Sequence, residues 1–174
     1  MSTNLDLSKL SLMDALDLAT LIEEEACQRY KMFATQLGHT GNGYAAGAFF
    51  ASMAENEAKH GAELRARRTA LFGTTPVTLK LYDLYDVEAP EMGAPHSGMS
   101  TVQAFEIGLT AEQKAYDFFD MALAGITDPE VRTLFTELRE EESSHLNMLR
   151  VEMAKLPPSA SVEADYEPDD APYL

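Results

Sequence analysis

The sequence predicts an all-α fold, a four-helix bundle with a long crossover between helices 2 and 3. Four long segments place apolar residues three or four positions apart, as amphipathic helices do. The second half of the chain repeats the first, and a segment rich in proline and glycine separates the halves. The 174 residues suit a single domain, so we expect residues 1–156 to form one bundle.

The first two helices are predicted on either side of a turn rich in glycine. Helix 1 is expected over residues 11–37, because Ser11 and Asp14 have the spacing of a capping box and glycines follow the last apolar position. Helix 2 is expected from residue 44 to 71 or 72, with Gly73 ending it.

The two halves are joined by residues 73–100, which contain Pro76, Pro90 and Pro95 and have no sustained helical period. Irregular connections of this length are uncommon inside a compact domain. They are needed when helix 3 lies parallel to helix 2, because the chain must then travel the length of the bundle. A helix of about 27 residues is about 40 Å long, and about 28 extended residues reach about 90 Å. The connection is therefore long enough.

Helices 3 and 4 follow this connection. Helix 3 is predicted over residues 100–125, with Gln103 completing a capping box at its start. Asp128 followed by Pro129 has the pattern of an N-cap and a first helical residue, so helix 4 is expected from there to about Lys155. Residues 157–174 carry five acidic residues and no Lys or Arg, and we predict that this acidic tail is disordered.

The composition argues against several classes of protein. The formal net charge of −16 would repel the phosphates of nucleic acid. The single cysteine, Cys27, cannot form an intrachain disulfide or a centre that needs four thiolates, and we interpret it as a buried inert thiol. No apolar run approaches the roughly 20 residues of a membrane span. The first residues lack the pattern of a signal peptide. We therefore expect no nucleic-acid or membrane partner and a cytoplasmic setting.

The internal repeat places the same polar residues on equivalent helices. Glu57 and His60 of helix 2 correspond to Glu142 and His145 of helix 4 at a constant offset of 85 residues. Glu23 and Glu112 correspond between helices 1 and 3 at an offset of 89 residues. Each half thus supplies one isolated Glu and one Glu-x-x-His.

This set of residues predicts a site for two metal ions. Residues three apart lie on one face of a helix, so each Glu-x-x-His directs a carboxylate and an imidazole to one point. Four carboxylates buried together would be too costly unless cations compensated them. Oxygen ligands with two imidazoles suit iron or manganese, and zinc would also bind. The predicted metal ligands, which are also the predicted catalytic residues, are Glu23, Glu57, His60, Glu112, Glu142 and His145.

The pattern is that of ferritin-like carboxylate proteins, and further motifs resemble the erythrin domain of the rubrerythrins. Residues 23–34 read Glu-x-x-Ala-x-x-Arg-Tyr-x-x-Phe-Ala, and residues 53–60 read Met-Ala-Glu-x-Glu-x-x-His. Residues 112–119 and 140–145 match the second half of that domain. The resemblance covers about residues 11–155. It implies two iron ions in a ferritin-like four-helix bundle, often dimeric, with peroxide reduction or iron oxidation as its activity.

The sequence departs from the rubrerythrins in two ways. The cysteines of their rubredoxin domain are absent, so we expect an external electron donor protein. Rubrerythrins also tend to carry a further Glu on helix 3, where this chain has Ala115, and we expect a slower reaction with peroxide as a result.

We predict a di-iron protein, expected to be a homodimer, that binds Fe(II) and reacts with peroxide or dioxygen. The alternatives are an iron oxidation, storage or transfer protein, a di-iron oxygenase acting on an organic substrate, and a bundle whose metals are purely structural. Tyr30 is predicted either to donate a hydrogen bond to a ligand carboxylate or to be an ordinary core residue. Glu55 and Glu140 are predicted to lie on the surface, because each is two positions away from a ligand on its helix.

Overall fold

A computed structural model describes residues 9–38, 44–77 and 99–162 of the chain. These residues form an all-helical bundle, and no strand occurs among them. The bounds agree with the predicted helices to within about two residues. The four helices are α1 (Leu12–Leu37), α2 (Tyr44–Phe72), α3 (Thr101–Gly125) and α4 (Pro129–Met153).

Side chains predicted as caps fix the starts of α1, α3 and α4. The Ser11 hydroxyl accepts a hydrogen bond from a backbone N–H in the first turn of α1. Ser100 and Gln103 form a reciprocal capping box, with distances of 3.1 Å and 2.7 Å. The Asp128 carboxylate accepts from two backbone N–H groups at 2.9 Å and 3.0 Å. Such caps contribute about 1 kcal/mol each and therefore set where the helices begin.

The chain arrangement is two antiparallel hairpins, α1 with α2 and α3 with α4, and it makes α2 parallel to α3. Near the starts of α2 and α3, the ring centroids of Phe50 and Phe105 lie 4.8 Å apart. Further along the same two helices, Leu64 and Phe119 belong to one apolar cluster. The predicted crossover is thus confirmed as topology, because the chain must return along the bundle between α2 and α3. Residues 78–98 of this connection lie outside the described residues.

The backbones of α1 and α2 approach closely at the end of their hairpin. A Cβ atom placed on Gly47 would lie 2.8 Å from the backbone nitrogen of Gly38 and 2.9 Å from its Cα. Residue 47 must therefore be glycine, because there is no space for a Cβ atom. The Gly38 N–H donates to the Ala34 carbonyl at 3.0 Å and closes α1.

A buried ion pair joins α1 to the end of α2. Arg68 Nε lies 2.8 Å from Asp17 Oδ1, and the guanidinium also donates to the carbonyls of Gly73 at 3.1 Å and Thr75 at 2.6 Å. Gly73 adopts φ of 59°, a left-handed conformation that glycine reaches without steric cost. These contacts hold the chain as it leaves α2.

The apolar core consists of two clusters at different levels of the bundle. The first consists of apolar residues within 15–22 of α1, Leu64 of α2, and apolar residues within 115–126 and 131–138, which belong mostly to α3 and α4. The second includes apolar residues within 26–37 of α1 and 46–54 of α2, together with Phe105 of α3 and Leu149 of α4. On each helix, a short segment between the two clusters carries the polar residues described below.

The chain after α4 turns back onto α3. Residues Pro158–Ser161 form a 3-10 turn in which Ala160 is only 4% exposed, and Leu156 packs against the second apolar cluster. Here the structure differs from the predicted disordered tail, because one small apolar side chain can pack without any helical periodicity. Residues 163–174 lie outside the described residues. None of the helices that the structure describes combines the length and the hydrophobicity needed to cross a bilayer.

Candidate metal centre

All six predicted ligands lie in one polar layer between the two apolar clusters. The four Glu side chains point into the bundle, and each Glu residue is at most 4% exposed. His145 is 4% exposed, whereas the side chain of His60 is 20% exposed and lies nearer the surface. The layer is formed by Glu23 from α1, Glu57 and His60 from α2, Glu112 from α3, and Glu142 and His145 from α4.

The i,i+3 spacing on α2 and α4 brings each carboxylate beside its own imidazole. His60 Nδ1 lies 3.9 Å from Glu57 Oε2, and His145 Nδ1 lies 3.6 Å from Glu142 Oε2. In both pairs it is Nδ1 that faces the carboxylates. The two imidazole rings stack nearly parallel across the layer, with centroids 5.7 Å apart and an interplanar angle of 11°.

Carboxylates from three helices surround His145. Its Nδ1 atom lies 3.2 Å from Glu57 Oε1 and 3.3 Å from Glu112 Oε2, in addition to the contact with Glu142. Glu112, Glu142 and His145 form a fully buried group that could hold a metal ion. Glu57 contacts both imidazoles, so it occupies a bridging position between the two halves of the layer.

Tyr30 supports this half of the layer. Its hydroxyl donates a hydrogen bond to Glu112, and its side chain is completely buried. Burial and the charges of Glu112 and Glu57 raise the pKa of Tyr30 well above its ordinary value, so the phenol keeps its proton. Burial acts to raise the pKa of Glu112, but hydrogen bonds to Glu142 and His145 outweigh it and lower that pKa. Glu112 is therefore held as a carboxylate.

The other half of the layer surrounds His60. Its Nδ1 atom lies 3.7 Å from Glu23 Oε2 and 3.9 Å from an oxygen of Glu141. The interaction with Glu23 raises the pKa of His60. Glu23, His60 and Glu141 form a second group with suitable ligand atoms for a metal ion.

Glu141 was not among the ligands predicted from the sequence. Residues 140–142 are three consecutive glutamates, and helical spacing places only Glu142 in line with the Glu-x-x-His pattern. No helical spacing indicates Glu141, because its contact is with His60 of α2 and depends on how α2 packs against α4. Glu55 and Glu140 are exposed, in agreement with the prediction. Cys27 is buried and donates to the carbonyl of Ala54 at 3.3 Å.

The residues of the layer fit a divalent metal ion. Glu23 Oε2 and His60 Nδ1 are both buried, and neither has a hydrogen-bond partner. Their separation of 3.7 Å exceeds a hydrogen bond. Two ligands that are each about 2.1 Å from one ion lie about 3.0 to 4.2 Å apart, depending on the angle between them. Such an ion would satisfy both atoms, and carboxylates with imidazoles suit iron, manganese or zinc.

Two cavities connect this layer to the surface. One, of about 210 Å³, lies between α2 and α4 and is lined by His60, Glu63, Arg67, Glu137 and Glu141 together with leucines. The other, of about 330 Å³, lies between α1 and α2, reaches Glu23 and Glu57, and has Lys31 and Arg65 in its wall. Both cavities carry charged side chains.

A known protein family matches the part of the chain that forms the four helices. The family model for rubrerythrin matches residues 14–153, which include α2, α3 and α4 completely and α1 except its first two residues. The chain belongs to the rubrerythrin family. Rubrerythrins typically bind metal ions, and the Glu and His groups of this rubrerythrin-family chain could hold them.

Solved structures support the same fold. An uncharacterised conserved protein from Magnetospirillum magnetotacticum is similar with a TM-score of 0.72 and 26% identity, over 85% of this chain and 97% of that chain. A hypothetical protein from Pyrococcus furiosus is similar in fold, with a TM-score of 0.57 and 22% identity, over 88% and 96% of the two chains. No curated protein matches the chain significantly. The bundle is thus a ferritin-like fold of the rubrerythrin type.

Proposed function

We propose that this rubrerythrin-family protein binds two Fe(II) ions in the polar layer and reacts with peroxide or dioxygen. One observation carries the proposal: four buried carboxylates and two imidazoles, contributed by four helices, face one another within a single layer of the bundle. Manganese or zinc would fit the same donors, and the choice of iron follows from the family.

The distances within the layer support a division of the donors between two ions. Glu23 and His60 would hold one ion, and Glu112, Glu142 and His145 would hold the other. Glu57 would bridge them, because its two oxygens lie 3.9 Å from His60 and 3.2 Å from His145. The charges would balance in this arrangement, since two divalent cations would offset four carboxylates that otherwise repel one another.

Reduction of hydrogen peroxide to two water molecules needs two electrons and two protons, and a pair of Fe(II) ions held in this layer would supply the two electrons by becoming Fe(III). The residues of the chain hold and shield the site. Tyr30 fixes Glu112 through its hydrogen bond, and the apolar clusters on both sides of the layer limit the access of water from the two ends of the bundle. An external electron donor protein would then return the electrons between turnovers.

Iron oxidation for storage or transfer is a second candidate. The acidic lining of the cavity beside His60, with Glu63, Glu137 and Glu141, suits the passage of a cation to the layer. The charged walls of both cavities favour small polar or ionic reactants over the apolar substrate of an oxygenase. Assembly into a large shell, observed by size-exclusion chromatography, would favour storage, whereas a homodimer is the proposed state.

The proposal is tested by anaerobic titration of metal-free protein with Fe(II), followed by addition of hydrogen peroxide. We expect saturation at about two irons per chain, as a metal pair requires, and consumption of about one peroxide per iron pair. Glu57→Ala should weaken the binding of both ions, whereas Glu140→Gln, a change on the exposed face of α4, should leave both unchanged. Saturation at a single iron, or a loaded protein that is inert to peroxide and dioxygen, would eliminate the paired-metal mechanism.

A further inference from the structure

A fifth carboxylate approaches the layer from α4, beside the six residues considered so far. We propose that Glu141 is an additional ligand of the metal ion held by Glu23 and His60. This assignment rests on the proposed function, since it concerns one ion of the same pair. It gives that ion a protein ligand from α4, in addition to those from α1 and α2.

The distances around His60 are the first evidence that Glu141 could share an ion with it. Oxygens of Glu23, Glu57 and Glu141 lie 3.7 Å, 3.9 Å and 3.9 Å from the same atom, His60 Nδ1. All three distances are too long for hydrogen bonds. They all fall within the range of about 3.0 to 4.2 Å that separates two ligands of one ion held at about 2.1 Å. Ligand atoms of Glu23, His60 and Glu141 also lie within 4.8 Å of one another.

A buried and unpartnered oxygen supplies an independent indication of a cation in this group. The side chain of Glu23 is only 3% exposed, and its Oε2 atom has no hydrogen-bond partner although it faces His60 Nδ1. An unsatisfied carboxylate oxygen is costly to bury. A metal ion between Glu23, His60 and Glu141 would satisfy it and would bring in the carboxylate from α4.

The surroundings of Glu141 distinguish it from neighbouring glutamates on α4. Within the part of the chain that the structure describes, its ion pair is with His60 and not with a Lys or Arg. Glu137, one turn earlier, lies 3.8 Å from Arg67, and Glu140 is exposed. The side chain of Glu141 is 41% exposed and lines the cavity that reaches His60. Glu141 therefore lies where an incoming ion would first meet the site.

The test uses Co(II) as a probe of the full chain, with binding followed by equilibrium dialysis and by the visible absorption of the metal. The wild-type protein should bind two ions. Glu141→Gln should keep one ion at wild-type affinity and weaken the other at least about tenfold, since loss of even an outer partner of a ligand costs about 10- to 100-fold. The absorption of the weakened ion should change, because its coordination changes. Glu140→Gln, a matched change on the exposed face of the same helix, should alter neither ion.

Two further variant backgrounds identify which of the two ions Glu141 binds. In a His145→Ala background, where the ion at His60 is the better-held one, Glu141→Gln should weaken that remaining ion. In a His60→Ala background, the same change should have little further effect, because the two residues serve the same ion. Equal weakening in both backgrounds would overturn the assignment, as would a Glu141→Gln protein with wild-type affinity and absorption for both ions. A wild-type chain that binds fewer than two ions would instead contradict the proposed function itself, together with this assignment.

Discussion

Tyr30 fixes one carboxylate of the polar layer through a single hydrogen bond. Its hydroxyl donates to Glu112, its ring stacks on Phe50 with centroids 5.7 Å apart, and its raised pKa keeps the proton in place. The hydrogen bond leaves one oxygen of Glu112 directed at His145, 3.3 Å away. Orientation of a ligand by such a neighbour is a general property of metal sites.

Removing this hydroxyl should weaken one ion selectively. Tyr30→Phe keeps the ring packing but deletes the donor to Glu112, so we expect the ion at Glu112 and His145 to bind about 10- to 100-fold more weakly. Tyr116→Phe, a partly exposed site on the same helix as Glu112, is the matched control. Calorimetric titration with Co(II) measures the affinity for each ion in both variants. Unchanged affinity in Tyr30→Phe would show that the hydrogen bond does not orient the ligand.

At this scale, the sequence predicted which side chains meet in the polar layer where helical spacing alone determines their direction. Glu57 and Glu142 could be placed because each precedes a His by three residues on one helix face. Glu141 could not, because it lies about 100° around the helix from Glu142, and only the position of α2 against α4 brings it to His60. The sequence also left open whether Tyr30 donates a hydrogen bond to a carboxylate or is an ordinary core residue, because the answer depends on where α3 places Glu112.

Along each helix, a short polar segment lies between two apolar segments, and these polar segments together form the layer. On α1 the apolar residues stop at Ile22 and resume at Ala26, and Glu23 occupies the gap. Both hairpins must therefore be held in register, or the six donors would separate. The contact between Gly38 and Gly47 sets this register at one end of the first hairpin.

A methyl group at this contact should destabilise the bundle. Gly47→Ala would place a Cβ atom 2.8 Å from backbone that cannot easily move, so we expect a loss of about 1–3 kcal/mol, as for other overpacked sites. Gly125→Ala meets no atom within 4 Å and should be neutral or stabilising. Urea unfolding of the two variants compares them directly. Equal stability would mean that the hairpin end relaxes without cost.

The turn after α4 leads to a prediction about truncation. A chain that ends at Val162 keeps Ala160 buried and should melt like the full chain. A chain that ends at Leu156 loses that burial and should be less stable by about 0.8 kcal/mol, the value of one buried methyl group. Both should bind metal with wild-type stoichiometry, because none of the proposed ligands lies beyond His145. A fall in metal content for the shorter chain would show that the turn supports the site.

The whole molecule combines a strongly acidic chain with a layer of buried like charges, so its stability should depend on metal. Ions that bind only the folded state stabilise it by about 2.7 kcal/mol when present at about 100 times their dissociation constant. Removing them leaves Glu23, Glu57, Glu112 and Glu142 facing one another. We expect a lower melting temperature for metal-free protein, measured by circular dichroism.

A single charge deletion should reduce this dependence. In metal-free protein, Glu142→Gln removes one member of the buried cluster, so the melting temperature should fall less from the loaded to the metal-free form. Glu140→Gln, on the exposed face, is its control. Metal-free and loaded wild-type protein that melt together would contradict both expectations.

The overall topology could be predicted because the connection between the halves is too long for a tight turn, and the repeat offset requires equivalent hairpins. The path of that connection could not, since proline- and glycine-rich residues without periodicity do not specify a direction of packing. The order of Pro158–Ser161 was missed for the same reason.

The central claim, a pair of iron ions within the polar layer, is tested most directly by diffraction at the iron absorption edge from crystals loaded anaerobically with Fe(II). We predict two anomalous peaks per chain, about 3.5–4 Å apart as in paired metal sites. Glu57 should lie between them, with His60 beside one peak and His145 beside the other. A single peak, or two peaks that do not share Glu57, would contradict the account.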